Sequence, residues 1–450
     1  MKSTLKWIII ITITIIFLYA FSASYSSQNI DHLAYVVAIG VDTIPDSNNL
    51  EISFEFANSG AYSENSSSED SKPIINTVVA PSISSAINIM DAYVGKQLNL
   101  SHCKVIIFSD DFAKKGILSE VTFLMNNTQI RPTSNIIVAK GGAKEYIENS
   151  ISSLEQILTK YYEIFPTSTE YTGYTSNILL GEFYESLTNK DSGSIAILGK
   201  KSNASTNNES QQNTSSSGNT VSGGMSSESS GNPQNSTMQG NTSNTNETIS
   251  TNITNTNSID TIISEEPIVE GDRGTENIGL CVFKDDIYVG DLSAIETLCY
   301  SLLKDEVDNF LIRINSPFDE NEKIDISVDK LSSSSFDVDI SKENPVINIK
   351  LNLTAKSLTG QDKLDFSDTE TLKKLNTSLI DYLSSEMKSY LNKTSKEYKS
   401  DINEFYKKAK CKFTTISDFK NYNWSQKYEN AEFNVEINSD IISSLLIQNS

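Results

Sequence analysis

Four cysteines and two histidines carry most of the reactive side chains of this chain, and their placement limits what they can do. Cys103, Cys281, Cys299 and Cys411 are scattered with no CxxC spacing, so they fit neither a zinc site nor a disulfide framework. His32 and His102 are the only histidines. His102 and Cys103 are adjacent at the expected start of a strand, where neighbouring side chains point to opposite faces and do not readily share a metal. The usual zinc ligand sets need three or four such residues. A cysteine nucleophile needs a histidine base held at hydrogen-bond distance; nothing local supplies one, and a packed thiol is the simpler reading. The acidic doublets Asp110-Asp111 and Asp285-Asp286 have the residue types for paired acid–base work. Both fall at expected turns or helix starts, where aspartate caps backbone N–H groups and suits the helix dipole. Gly141-Gly142 lacks the glycine spacing and the following Lys-Ser/Thr of a phosphate loop. These residues point to no catalytic, cofactor-binding or metal site.

The chain that must position them has 450 residues, 36 of them Lys or Arg and 58 Asp or Glu, for a formal net charge of −22. That balance argues against a nucleic-acid binder, which needs a basic stripe. The length allows two or three domains with their own cores. Only 38% of the residues are hydrophobic, so part of the chain lies outside any core.

Lys2 and Lys6 precede an apolar run from Trp7 to about Phe21, interrupted by Thr12 and Thr14. Basic residues before such a run mark a secretory signal or a short membrane anchor, expected over residues 1–25. The run is a little under the ~20 residues that span ~30 Å of hydrocarbon. Lysines before it and an acidic chain after it place the body outside the cytoplasm. Ala20-Phe21-Ser22 is a weak small-x-small site, so cleavage and retention are both open. A retained anchor is the expectation, because the threonines do not break a helix.

Residues 200–262 are nearly all Ser, Asn, Thr, Gly and Gln, a composition that cannot bury enough apolar surface to offset its conformational entropy. A flexible linker is expected there, and a surface loop at Ser63–Ser71. No repeat with a period of about 20–50 residues is evident, so solenoids and propellers are excluded. The flanking regions, 30–199 and 263–450, read as mixed α/β, the first with two subdomains and the second a C-terminal domain.

In the first region Leu33–Val41 is an apolar run of strand length. Leu50, Ile52, Phe54 and Phe56 alternate with Glu51, Ser53 and Glu55, predicting a strand with one buried face. Asp46-Ser47-Asn48-Asn49 between them is turn chemistry, so the two form a hairpin. Ile83, Ile87, Met90 and Val94 recur at helical spacing. A strand at Val105–Phe108, a helix from Asp111 to about Met125 and a strand at Asn135–Ala139 follow; Gly141-Gly142 then breaks the chain before a helix near Ala143.

Beyond the tract, Gly279–Phe283 and Ile287–Leu292 flank Lys284-Asp285-Asp286 as a second hairpin. Ser293 with Glu296 forms a capping box for a helix carrying Leu298 and Leu302. Phe336, Val338 and Ile340 alternate, as do Ile347, Ile349, Leu351 and Leu353. Ser367 with Glu370 opens a long helix whose stripe is Leu372, Leu375, Leu379, Tyr382/Leu383, Met387 and Tyr390. A core-facing helix across a sheet explains that stripe better than an oligomer seam. Phe433, Val435 and Ile437 mark a last strand.

Several blocks, taken in order, resemble the Ger(x)C family, the C subunits of bacterial spore germinant receptors. The first is Asp31-His32-Leu33-Ala34-Tyr35-Val36-Val37-Ala38-Ile39-Gly40-Val41-Asp42. The second runs from Asn99-Leu100-Ser101-His102-Cys103-Lys104 to Phe108, through Ala113–Ile117 and Ile130-Arg131-Pro132, to Val138–Lys144. The third is Gly279–Asp286 with Val289-Gly290-Asp291-Leu292 and Glu296-Thr297. Tyr398, Asp401 and Trp424 fall where the family carries similar residues. The resemblance implies three mixed sheet-and-helix domains without enzymatic activity, on the extracytoplasmic face of a membrane, the spore inner membrane. It implies two multi-span membrane subunits, of A and B type, as partners, and no cofactor. Family members usually carry a lipobox cysteine after the leader; here Tyr19-Ala20-Phe21-Ser22-Ala23-Ser24 has none, so lipidation at that place is chemically impossible and the apolar segment is expected to serve as anchor. The other reading of the chain is a surface-anchored sensor or adhesion-type binding module with the polar tract as stalk. A secreted hydrolase would need a titratable cluster in a pocket. Which germinant acts, and whether this chain binds it, is not legible in the residues.

Overall fold

In a computed structural model of the chain, residues 2–22, 32–57, 74–150, 158–202, 274–319, 322–358 and 368–442 are described. The tract expected as a loop at 63–71, Ser367 and all of the polar tract beyond residue 202 lie outside them.

Helix α1 spans Lys2–Ser22. Thr12 and Thr14 donate their hydroxyls to the Ile8 and Ile10 carbonyls, at 2.8 and 2.9 Å, which keeps both polar groups satisfied within the helix. Its apolar side chains are exposed on every face, from Trp7 through Ile10 and Ile13 to Leu18. Among the described residues no helix is long and apolar enough to cross a membrane. The expectation of a spanning anchor is corrected to that extent: the apolar run from Trp7 to about Phe21 is shorter than the ~20 residues a span requires.

The first sheet contains strands β1 (Leu33–Thr43), β2 (Leu50–Phe56), β3 (Ile74–Ala80), β4 (Gln97–Asn99), β5 (Val105–Ser109), β6 (Asn135–Ala139), β7 (Ser194–Lys201), β8 (Thr275–Glu276), β9 (Leu280–Lys284) and β10 (Ile287–Leu292). Its order is β10-β9-β7-β6-β5-β1-β2-β3, with β4 beside β1 and β8 beside β7. Strands β1, β5, β6 and β7 run parallel, and both flanks are antiparallel. All residues of β5 and β6 are buried, as both-face covering of parallel strands demands. Helices α2 (Ile83–Val94), α3 (Asp110–Ala113), α4 (Leu118–Asn126), α5 (Ala143–Asn149), α6 (Leu158–Ile164) and α7 (Leu180–Thr188) connect and cover these strands.

Two local expectations are corrected here. The helix expected from Asp111 to Met125 is broken into α3 and α4, because Gly116 adopts a left-handed φ of +97° between them. The strand β2 buries both faces rather than one: Ser53 and Glu55 are as enclosed as Ile52 and Phe54, and Tyr162 of α6 reaches over Glu55 to donate to it.

Strands β9 and β10 lie beyond the polar tract in sequence yet complete the first sheet: Ser194, Ile195, Ala196 and Ile197 of β7 pair with Phe283, Val282, Cys281 and Leu280 of β9. The tract therefore interrupts the chain without interrupting the sheet.

Helix α8 (Ala294–Leu303) follows, opened by a capping box in which Ser293 and Glu296 exchange side-chain bonds with each other's backbone N–H groups. The second sheet comprises β11 (Asn309–Asn315), β12 (Lys323–Lys330), β13 (Ser335–Asp339), β14 (Val346–Ser357) and β15 (Glu432–Ile442). It is antiparallel except for β14 and β15, which run parallel and are joined through the long helix α9 (Thr369–Asn392). Leu375, Leu379, Leu383, Met387 and Tyr390 are buried, so the apolar stripe of α9 faces the core across this sheet. Its N-cap is Asp368, whose carboxylate accepts the Thr371 N–H at 3.0 Å, in place of the expected Ser367. The fold is mixed α+β, with two mixed sheets.

Candidate functional site

The residues singled out for chemistry are kept apart. His102 is exposed in a turn before β5, where its ring meets Tyr35 edge-on with centroids 5.1 Å apart. Cys103 is buried and donates to the Val105 carbonyl at 3.5 Å; burial pushes its thiol up to about 12, away from any nucleophilic range. Cys281 and Cys299 are buried and Cys411 is exposed, all as free thiols. No group of three or more His, Cys, Asp or Glu side chains among the described residues is placed to hold a metal.

Both acidic doublets have structural partners. Asp110 and Asp111 open α3 and both accept from Lys114, at 2.8 and 3.1 Å. Asp285 supplies the left-handed turn of the β9–β10 hairpin with φ +53°. Asp286 reaches across to the break between α3 and α4: its carbonyl accepts the Ile117 N–H at 3.2 Å and its carboxylate the Leu118 N–H at 3.3 Å. A Cβ on Gly116 would stand 2.8 Å from that carboxylate, so glycine there serves both the turn and the close approach. Gly142, preceding α5, has no side chain to cap it; Asp42 at the end of β1 does so, accepting the Ala143 and Lys144 N–H groups at 2.7 and 2.9 Å.

Polar groups the sequence does not bring to notice gather between the carboxyl end of β6 and strand β10. Lys140, the residue after β6, pairs with Asp291 of β10 at 2.8 Å, hydrogen-bonds the Tyr288 hydroxyl and lies 4.7 Å from that ring's centroid. The Tyr288 hydroxyl donates to Asp291 at 2.5 Å, and burial together with neighbouring anionic groups holds it protonated well above the usual tyrosine range. A residue just past a buried parallel strand is the sequence signal that could have flagged Lys140; Tyr288 and Asp291 carry none.

Asp291 also begins a polar seam between the two sheets. Its carbonyl accepts from Lys393 at 3.0 Å and from the Tyr398 hydroxyl at 2.7 Å. Lys393 pairs with Glu296 at 2.8 Å, the Ser400 hydroxyl donates to the Phe283 carbonyl at 2.7 Å, and Gly193 N–H donates to the Asp401 carbonyl at 3.0 Å. The Asp401 carboxylate is buried and accepts three donors: Phe405 N–H at 3.0 Å, Tyr406 N–H at 2.8 Å and Trp424 Nε1–H at 3.0 Å. Burial nonetheless raises it to about 7. Of the residues carried by resemblance, Asp401 and Trp424 thus meet directly, and Tyr398 ties the same turn to β10.

Beside the seam lies a cleft of about 340 Å³ with an apolar floor of Ile178, Phe183 and Tyr300. Glu306, in its wall, accepts from the Ser176 hydroxyl at 2.5 Å and is raised by burial. Burial pushes Glu404 up too, but Lys304 and Lys407, at 2.8 and 2.7 Å, outweigh it and hold the carboxyl below its ordinary value. The cleft has the size of a small-ligand site; Lys304 and Lys407 are engaged with Glu404, and Glu306 with Ser176.

A second buried carboxylate, Glu55 on β2, accepts the Tyr162 hydroxyl at 3.1 Å and is raised by burial to about 8. Because its folded value lies above its unfolded value, its contribution to stability is complete below about pH 4.5 and is lost as pH rises through 8. The Glu55→Gln variant keeps the acceptor without the charge. Its denaturation midpoint is expected to match the native chain at pH 5 and to exceed it at pH 9; parallel pH profiles for the two would refute the burial of this carboxylate.

Residues 26–200 match the family model described as spore germination protein N-terminal domain, and residues 278–444 match spore germination B3/GerAC like, C-terminal. A comparison with curated proteins returns no match. Among solved structures, one described as the crystal structure of the GerBC protein aligns at 14% identity and TM-score 0.48, covering 90% of this chain and 96% of that one. With both family models in order and covering most of its length, the chain belongs to the Ger(x)C family of spore germinant receptor C subunits.

Proposed function

We propose that this chain is the non-enzymatic, membrane-attached, extracytoplasmic subunit of a germinant receptor, working beside two multi-span membrane subunits at the spore inner membrane. The observation that carries the attachment is α1: a helix with apolar side chains exposed on every face, ending just before the family-matched region, with the Thr12 and Thr14 hydroxyls satisfied internally. Such a helix is stable only where lipid or protein covers it. Lys2 and Lys6 ahead of the apolar run are the pattern of an exported chain, which supports an extracytoplasmic body. Membership of the family supports the receptor role and the partners.

The seam supports a mechanical part rather than a chemical one. A subunit of this kind acts by holding its partners in one conformation, and only contacts that differ between conformations shift that equilibrium. A tagged chain purified from spore membranes is expected to bring down two multi-span proteins at its full length, α1 included. Recovery of the chain alone, or trimmed and free in the medium, would overturn the reading.

A further inference from the structure

One edge of the first sheet differs in charge from the rest of this acidic chain. The parallel registers Leu33↔Gln97, Ala38↔Val105 and Val105↔Asn135 bring the amino-terminal ends of β1, β4, β5 and β6 to the same side. Residues 32–35, 91–104 and 127–135 form that edge. Together they hold Lys96, Lys104, Arg131 and both histidines of the chain; two acids face them, Asp91, whose carboxylate accepts the Leu98 N–H at 2.7 Å, and Glu163 of α6. Lys104 is paired with Glu163; Lys96, Arg131, His32 and His102 are exposed. In a chain of net charge −22, this strip is locally positive.

The same edge carries exposed apolar side chains. Ile89 and Tyr93, one turn apart on α2, are 46% and 77% exposed, and Tyr93 stands close in sequence to Lys96. His32 and Lys96 share a groove of about 690 Å³ between the start of β1 and the end of α2. An aromatic ring beside basic groups suits the zone where hydrocarbon meets headgroups.

The chain also enters the domain here. Residues 23–31 separate α1 from His32, and even fully extended they reach about 30 Å. We infer that this edge rests on the bilayer, with Tyr93 and Ile89 in the interfacial zone and Lys96, Arg131 and the histidines against anionic lipid headgroups. The inference builds on the proposed attachment of α1. Basic residues at an anionic surface add attraction that salt screens, so the docked orientation depends on lipid charge while the attachment itself does not. The opposite end of the sheet, at the β1–β2 turn, then stands about 35 Å from the surface, given the rise per residue of an 11-residue strand.

The test uses the full chain in vesicles of phosphatidylglycerol and phosphatidylcholine. Cys411, the exposed cysteine among the described residues, is replaced by serine, and one cysteine is placed at Ala92→Cys or, as the far-end control, at Asn48→Cys. Each carries an environment-sensitive fluorophore, and brominated lipid is the quencher. Quenching at position 92 is expected to exceed that at position 48 several-fold. It should fall to the control level in the Lys96→Glu/Arg131→Glu variant, or in phosphatidylcholine alone, while the chain still floats with the vesicles. Flotation with equal quenching at both positions overturns the inference and leaves the attachment standing. A chain that does not float overturns the attachment and this inference with it.

Discussion

Replacing Trp424 with alanine is expected to cost about 3–5 kcal/mol, among the largest losses any single substitution in this chain would cause. The side chain is fully buried, packs against Tyr428 with ring centroids 5.9 Å apart, and donates Nε1–H to Asp401. Alanine leaves a cavity and removes one of three donors to a buried carboxylate. The two effects separate in Trp424→Phe, which keeps most of the ring volume and loses only the donor, for about 1–3 kcal/mol. The lost donor favours the charged form of Asp401, which is populated above about pH 7. The phenylalanine variant should therefore be more destabilised at pH 8 than at pH 5 in denaturant titrations. An equal loss at both pH values would mean that the indole contributes packing alone. The turn that Asp401 organises carries contacts to Gly193 and, through Tyr398 and Ser400, to β10 and β9. The alanine variant is expected to loosen the seam before either sheet, so amide exchange should rise first over residues 393–406.

The second large effect concerns α1. Glutamates at Ile10 and Ile13 introduce two charges into the middle of an apolar helix, each costing about 2.5–3.5 kcal/mol within a bilayer. Their sum lowers partitioning by more than a thousandfold at 1.4 kcal/mol per factor of ten. Purified Ile10→Glu/Ile13→Glu chain mixed with vesicles is expected to remain unbound where the native chain floats. Its denaturation midpoint should be unchanged, since neither side chain is packed against the domains. A double variant that floats like the native chain would show that α1 is not what meets the lipid.

What the sequence made legible is what depends on neighbours in the chain. The β1–β2 hairpin follows from two apolar strands around Asp46–Asn49, and the Ser293–Glu296 capping box from residues three apart. The stripe of α9 was readable because a 3.6-residue period sustained over many turns fits little but a helix with one buried face. The polar alternation in β2 misled because period two reports side-chain direction, not what covers the second face; Glu55 is enclosed through Tyr162, more than a hundred residues away. Asp42 capping α5, Asp286 filling the break after α3 and Asp401 meeting Trp424 are equally non-local. Lys140, just past β6, meets Tyr288 and Asp291 of β10 only because β9 joins β7, a pairing no local pattern announces.

That pairing has a bearing on how the family's members can diverge. Lys201 and Thr275 are partners across β7 and β8, and Ser202 donates its N–H to the Gly274 carbonyl at 2.8 Å. The polar stretch therefore leaves and re-enters the fold at one doorway. Because the entropic penalty of a closed excursion grows only logarithmically, doubling its length adds about 0.6 kcal/mol. Evolution can lengthen, shorten or rewrite such a stretch almost at will, and a relative with a brief connection there would need no other adjustment to keep the same architecture.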